Sequence, residues 1–115
     1  MKRTVFFITI FLLMIPGGFA QYLQIDRVAE APKAALMKEF PQAMNQMWTL
    51  EGSTWHVWFM QGETKYSMKF DDAGNWIDKE TRIALTALPK EITKSIARNC
   101  AGFSVYEAEK VDSPD

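Results

Sequence analysis

Large apolar side chains fall on every second residue twice between Thr54 and Phe70, on either side of a single glycine. Trp55, Val57 and Phe59 alternate with His56, Trp58 and Met60. After Gln61-Gly62-Glu63, the residues Tyr66, Met68 and Phe70 alternate with Lys65, Ser67 and Lys69. A period of two is the spacing of a strand, and a Gly-bearing turn between two such runs predicts a hairpin. With an even number of turn residues, Trp55, Val57, Phe59, Tyr66, Met68 and Phe70 share one face. A three-residue turn would scramble that set. An antiparallel sheet usually packs one face on helices and leaves the other wet, so the apolar set is expected under helices. The other face holds a Trp, a Met and the only His of the chain, an unusual load for a wet surface.

The flanking segments supply the rest of a small module. Ala29 to Phe40 has helical spacing, with Pro32 tolerable in the first turn, and Phe40-Pro41 ends it because proline disfavours helical geometry in the residue before it. Met44 to Glu51 reads as a strand through Trp48, closed by Glu51-Gly52. Asp71-Asp72-Ala73-Gly74-Asn75 reads as a turn in which Gly74 suits a left-handed position. Asn75 to Leu85 continues as one strand or two. Leu88-Pro89 opens a second helix with Ile92 and Ile96 on its buried side, Gly102 stops it, and Phe103 to Val111 alternates as a last strand. The expected fold class is α+β, with two helices packed on one face of an antiparallel sheet of four to five strands. The expected core places Trp55, Phe59, Tyr66 and Phe70 beneath Ala35, Leu36, Ile92 and Ile96.

The first twenty residues read as an export leader. Lys2 and Arg3 precede an apolar run, Val5 to Ile15, then Pro16-Gly17-Gly18 and small residues at the −3 and −1 positions of a cut before Gln21. The run is shorter than the roughly 20 residues of a membrane span, and no Cys follows the cut to carry a lipid. The chain thus divides into a signal peptide, residues 1–20, and one domain, residues 21–115, and no stable membrane span is expected after cleavage. Removing Lys2 and Arg3 from the 13 basic residues leaves 11 against 14 acidic ones. That mildly acidic chain has no basic stripe with interleaved aromatics, which argues against nucleic acid as a partner. The lone Cys100 makes no internal disulfide, so packing must supply the stability.

Phe40-Pro41, the Trp48 strand, Phe70-Asp71-Asp72-Ala73-Gly74-Asn75-Trp76, Glu80-Thr81-Arg82-Ile83 and Leu88-Pro89 occur in an order and spacing that resembles the PepSY-like family of exported bacterial proteins, described as β-lactamase-inhibitor-like. The resemblance runs from about Ala29 to Val111. It implies a β-lactamase-inhibitor-like unit in a periplasmic or secreted protein. Members often carry two copies of a helix-then-sheet unit, whereas this sequence shows one full copy, a second helix and a strand, so the resemblance implies an expected second unit that is incomplete here. That leaves the last strand as an edge open to a homodimer contact.

Catalysis finds little support in the residues. Cys100 and His56 fall on a helix end and mid-strand, and no nucleophile signature surrounds them. Cys100 is expected to be a small buried residue. One His with one Cys is too few for zinc, and the spacing in Asp71–Asn75 fails the alternating pattern of a calcium loop. Glu91 and Glu107 are expected to be solvated. The expectation is a non-enzyme without cofactor or metal, binding a protein or peptide through His56, Trp58, Met60, Lys65 and Lys69 on the open face. Inhibition of a hydrolase is what the family resemblance suggests. The alternative is a small-ligand or metal-sensing envelope domain.

Overall fold

The computed structural model describes residues 3–9 and 22–114 of the chain. In chain order the elements are β1 (Arg3–Thr9), α1 (Glu30–Glu39), β2 (Met44–Glu51), β3 (Thr54–Gln61), β4 (Thr64–Phe70), β5 (Trp76–Ile83), α2 (Lys90–Asn99) and β6 (Glu107–Ser113). The strands form one antiparallel sheet in the order β1-β6-β5-β4-β3-β2.

Two tight turns decide which side chains go inside. Glu51 pairs with Thr54 and Gln61 with Thr64, so each hairpin closes on two residues, Gly52-Ser53 and Gly62-Glu63. Each turn opens on a glycine with positive φ, 61° and 62°, the position a II′ turn reserves for glycine. An even loop keeps the alternation in phase. Trp55 therefore faces Phe70, Val57 faces Met68 and Phe59 faces Tyr66, as the sequence pattern predicts.

α1 lies over this face. Its Leu36 is fully buried, and Phe40, its C-terminal cap, packs edge-on against Phe59 at 4.9 Å between ring centroids. Val28, Leu36, Phe40, Trp48, Trp55, Val57, Phe59, Met68 and Phe70 make one contiguous core. The Asp71–Asn75 turn docks on the same helix. Asp71 Oδ1 accepts the backbone N–H groups of Ala73 and Asn75, each at 2.9 Å, and Asp72 accepts the Trp55 indole N–H at 2.8 Å. The five-residue motif is thus a capped turn whose carboxylates already serve backbone and indole donors.

Five expectations change. The sheet has six strands among the described residues, because Arg3–Thr9 of the expected leader pairs along β6, Val5 opposite Val111; the expected cut before Gln21 lies outside the described residues. α2 buries none of its residues; Ile92 and Ile96 are half-buried and stay outside the core, and Tyr66 is half-buried at its margin. A ten-residue helix with only two large apolar residues on its inner side has too little to hold it tightly against the sheet. The last strand begins at Glu107 rather than Phe103, and Phe103 and Tyr106 stand exposed. The rise of the chain from the end of α2 uses Phe103–Tyr106 as a connection before pairing with β5 begins at Ala108. Cys100, as the cap of α2, is half-exposed rather than buried.

Candidate functional site on the open face of the sheet

The strand registers set the open face out in three rows. Thr49, His56, Lys69 and Asp78 form the first, and Met47, Trp58, Ser67, Glu80 and Val111 the second. Met60 opposite Lys65, and Arg82 opposite Glu109, continue the third. His56, Trp58, Met60, Lys65 and Lys69 therefore all lie on one face, side by side.

Their roles differ. The His56 and Trp58 rings lie 3.7 Å apart between centroids, two residues apart on the same strand. Tyr22 meets Trp58 edge-on at 6.1 Å, and Leu23 bridges Trp48 through its backbone N–H at 2.8 Å. The N-terminal segment thus covers part of Trp58 and leaves it half-buried. Lys69 is engaged with Asp78 at 3.5 Å, whereas Lys65 stands exposed at the rim. Glu107, expected to be solvated, is half-buried and ion-paired with Arg82, because β5 holds the guanidinium beside it on the same face. Glu91 is exposed, as expected.

The residues that the sequence pattern did not assign to the site are Met47, Ser67, Glu80, Arg82 and Glu109. With Trp58 and Met60 they surround a cavity of about 230 Å³. Ser67 is its floor. A small side chain, only 4% exposed, sits between Trp58 on β3 and Glu80 on β5, so the surface dips there. On one side Met47, Trp58 and Met60 make an apolar wall; on the other stand Glu80, Arg82 and Glu109. Along β2 the register slips between Met44 and Met47, and Asn45 takes a positive φ of 54°. Such a bulge bends an edge strand, and Asn45 and Met47 line the groove on that side. The strand through Glu80 and Arg82 and the alternation of the last strand were visible in the sequence, but the register joining Glu80 and Arg82 to the hairpin was not.

Electrostatics on this face oppose charge at two points. Burial, and then Lys69 directly opposite, hold the His56 imidazole below its ordinary value, against the pull of Glu80, Asp78 and Glu51. Its Nε2 and the Thr49 hydroxyl, paired in register, find no hydrogen-bond partner among the described residues. Burial, then the charge and hydrogen bond of Glu80, push the Glu109 carboxyl up, with Arg82 opposing. The lowered His56 value has a sign for stability. The unfolded chain takes up a proton near 6.5 more readily than the fold does, so stability is full above that pH and is lost as pH falls toward the lower folded value. His56→Gln is expected to lose less melting temperature than the parent chain between about pH 8 and about pH 5. Thermal melts across that range check it; parallel curves would mean His56 titrates alike in both states.

Neither a family model nor a curated protein matches this chain. Solved structures do match. A BLIP-like protein from Bacteroides fragilis superposes with a TM-score of 0.62 at 20% identity, over 75% of this chain and 62% of that one. A DUF2874 family protein from Bacteroides uniformis superposes with a TM-score of 0.69 at 21% identity, over 76% and 65%. A candidate periplasmic protein from Bacteroides eggerthii gives 0.68 at 19%, over 85% and 66%. The fold is BLIP-like. At these identities the likeness concerns architecture alone, and the chain spans 62–66% of the length of these structures. No helix of the described residues is long and apolar enough to cross a membrane.

Proposed function

We propose that this chain is an exported, non-catalytic binding module that docks a protein or peptide on the open face of its sheet. The observation that carries this reading is the recess bounded by Met47, Trp58 and Met60 on the face that α1 does not cover. Trp supplies the large desolvated contact that dominates interfaces, and Met adapts to irregular surfaces. The cavity, about 230 Å³, is smaller than the roughly 300–1,000 Å³ typical of small-molecule pockets, which favours a macromolecular partner over a metabolite. The PepSY-like resemblance and the BLIP-like fold support placing the module in the periplasm or outside the cell, and a hydrolase is the target class the resemblance suggests. His56, Trp58, Met60 and Lys65 are the contact residues of this reading; Lys69 serves through its pairing with Asp78.

Residues 1–20 are removed on this reading, which takes β1 away from β6. The edge so uncovered carries Glu107, Glu109, Lys110 and Asp112, and charge along an edge discourages uncontrolled strand pairing. A homodimer through β6 is accordingly the lesser use of that edge.

Trp58→Ala tests the docking face. Protein recovered from the cell envelope, its intact mass reporting the cut before Gln21, serves as bait beside the variant. Loss of the His56 and Tyr22 ring contacts is expected to cost roughly 1–3 kcal/mol, while retention of the captured partner falls sharply. A strongly destabilised variant that still retains the partner per folded molecule would make Trp58 a structural residue and remove the open face from the interface.

A further inference from the structure

The groove over Ser67 has an apolar wall on one side and Glu80, Arg82 and Glu109 on the other, and the one cation of that side also serves a third carboxylate, Glu107. Arg82 is ion-paired with Glu107 while also lying opposite Glu109, Lys69 is engaged with Asp78, and Lys65 stands out at the rim. Glu80 and Glu109 are left facing the cavity together, with the Ser67 hydroxyl donating to Glu80 Oε2 at 3.2 Å. Burial and the nearby charge of Glu80 push the Glu109 carboxyl up, as two carboxyl groups sharing one recess do. A cation brought between them relieves the repulsion of the pair.

The dimensions of the site narrow the ligand. A cavity of about 230 Å³ is too small for a typical metabolite pocket, and its length runs across the strands from Met47 and Trp58 to Glu80. An apolar stretch followed by an acidic end is the complement of a long side chain with a methylene stem and a charged head. Such side chains lay their stems on apolar surface while the head finds its partner. A guanidinium also stacks on an indole face and meets carboxylates with a fixed fork of donors.

We propose that the recess above Ser67 receives one basic side chain, lysine or arginine, presented by a partner protein, its stem against Trp58 and Met60 and its head between Glu80 and Glu109. The proposal rests on the reading of the open face as the docking surface and names what that surface selects. It reverses the sign suggested by Lys65 and Lys69 alone: the outer rim is basic, but the anchoring point is acidic.

The test is a titration of the isotope-labelled exported protein, followed by the Trp58 indole resonance and the amides of Ser67, Glu80 and Glu109. The probes are three capped tripeptides with a central arginine, lysine or citrulline flanked by alanines. Citrulline keeps the shape of arginine and lacks its charge. The arginine and lysine peptides are expected to shift these four signals, and citrulline to bind on the order of tenfold more weakly or worse, as fits the loss of charge-assisted hydrogen bonds. Glu80→Gln with Glu109→Gln should remove the preference for charge, and Ser67→Phe should remove the shifts altogether by filling the floor. If Ser67→Phe disturbs the fold, seen as dispersed shifts across α1, Ser67→Leu takes its place. Equal binding of citrulline and arginine overturns the basic-side-chain proposal while leaving the open face as a docking surface. Absence of any shift on this face, together with a Trp58→Ala bait that retains its partner, overturns both.

Discussion

Gly74→Ala is expected to destabilise this protein by roughly 3 kcal/mol or more, because two separate penalties meet at one residue. The backbone there has a φ of 85°, in the region L side chains rarely adopt, and a Cβ would stand 2.7 Å from the carbonyl oxygen of Ala31. The obstruction is helix backbone, which cannot swing aside as a side chain tip would. The turn must therefore lift off α1, loosening the Asp71 cap and the Trp55–Asp72 hydrogen bond with it. For a domain of this size the melting temperature should drop by on the order of 10–20 °C. Gly62→Ala is the control. It also has a positive φ, 62°, and nothing within 4 Å of the added carbon, so it should show the backbone penalty alone, roughly 1–3 kcal/mol. Equal losses in the two variants would mean that the turn does not rest on the helix.

Truncation of Phe70 should be as severe. Its side chain is 1% exposed, stacks on Trp48 at 6.2 Å between centroids, and faces Trp55 across the hairpin. Phe70→Ala is expected to cost roughly 3–5 kcal/mol, from lost burial plus the cavity left among rings that cannot close over it. That is a large share of the roughly 5–15 kcal/mol a domain has to spare. Phe70→Leu should recover most of the loss by restoring volume. Chemical denaturation reads both changes; a midpoint unmoved by Phe70→Ala would mean that the buried and open faces of the hairpin are exchanged.

Both effects trace to one motif, Phe70-Asp71-Asp72-Ala73-Gly74-Asn75-Trp76. Its Phe fills the core, its first Asp caps the turn, its second holds an indole, and its Gly admits the helix. Lys79 extends the same theme on β5, pairing with Glu39 at 3.1 Å and lying 5.8 Å above the Phe40 ring. The motif therefore clamps the end of the hairpin to α1, on the face opposite the one that carries Trp58 and Ser67. The recess over Ser67 exists on that opposite face.

Much of this was written in local chemistry. The alternation from Thr54 to Phe70, with a glycine at a two-residue turn, decides which rings go inside, because a strand has a period of two and an even loop preserves phase. Phe40-Pro41 ends α1 and Gly74 marks the turn, since backbone geometry at proline and glycine is a property of those residues themselves. The side-by-side placement of His56, Trp58, Met60, Lys65 and Lys69 follows from the same alternation. Tertiary structure alone decided the rest. Whether α2 packs tightly depends on the area it meets, and two isoleucines did not reveal that it buries no residue. Where β6 begins depends on when the chain reaches β5. The meeting of Glu80, Arg82 and Glu109 beside Trp58 depends on the registers of β5 against β4 and β6, which join residues far apart in the chain. A register shift of one residue would have turned Glu80 and Glu109 to the α1 side, and only the docking of the whole sheet selects between the two.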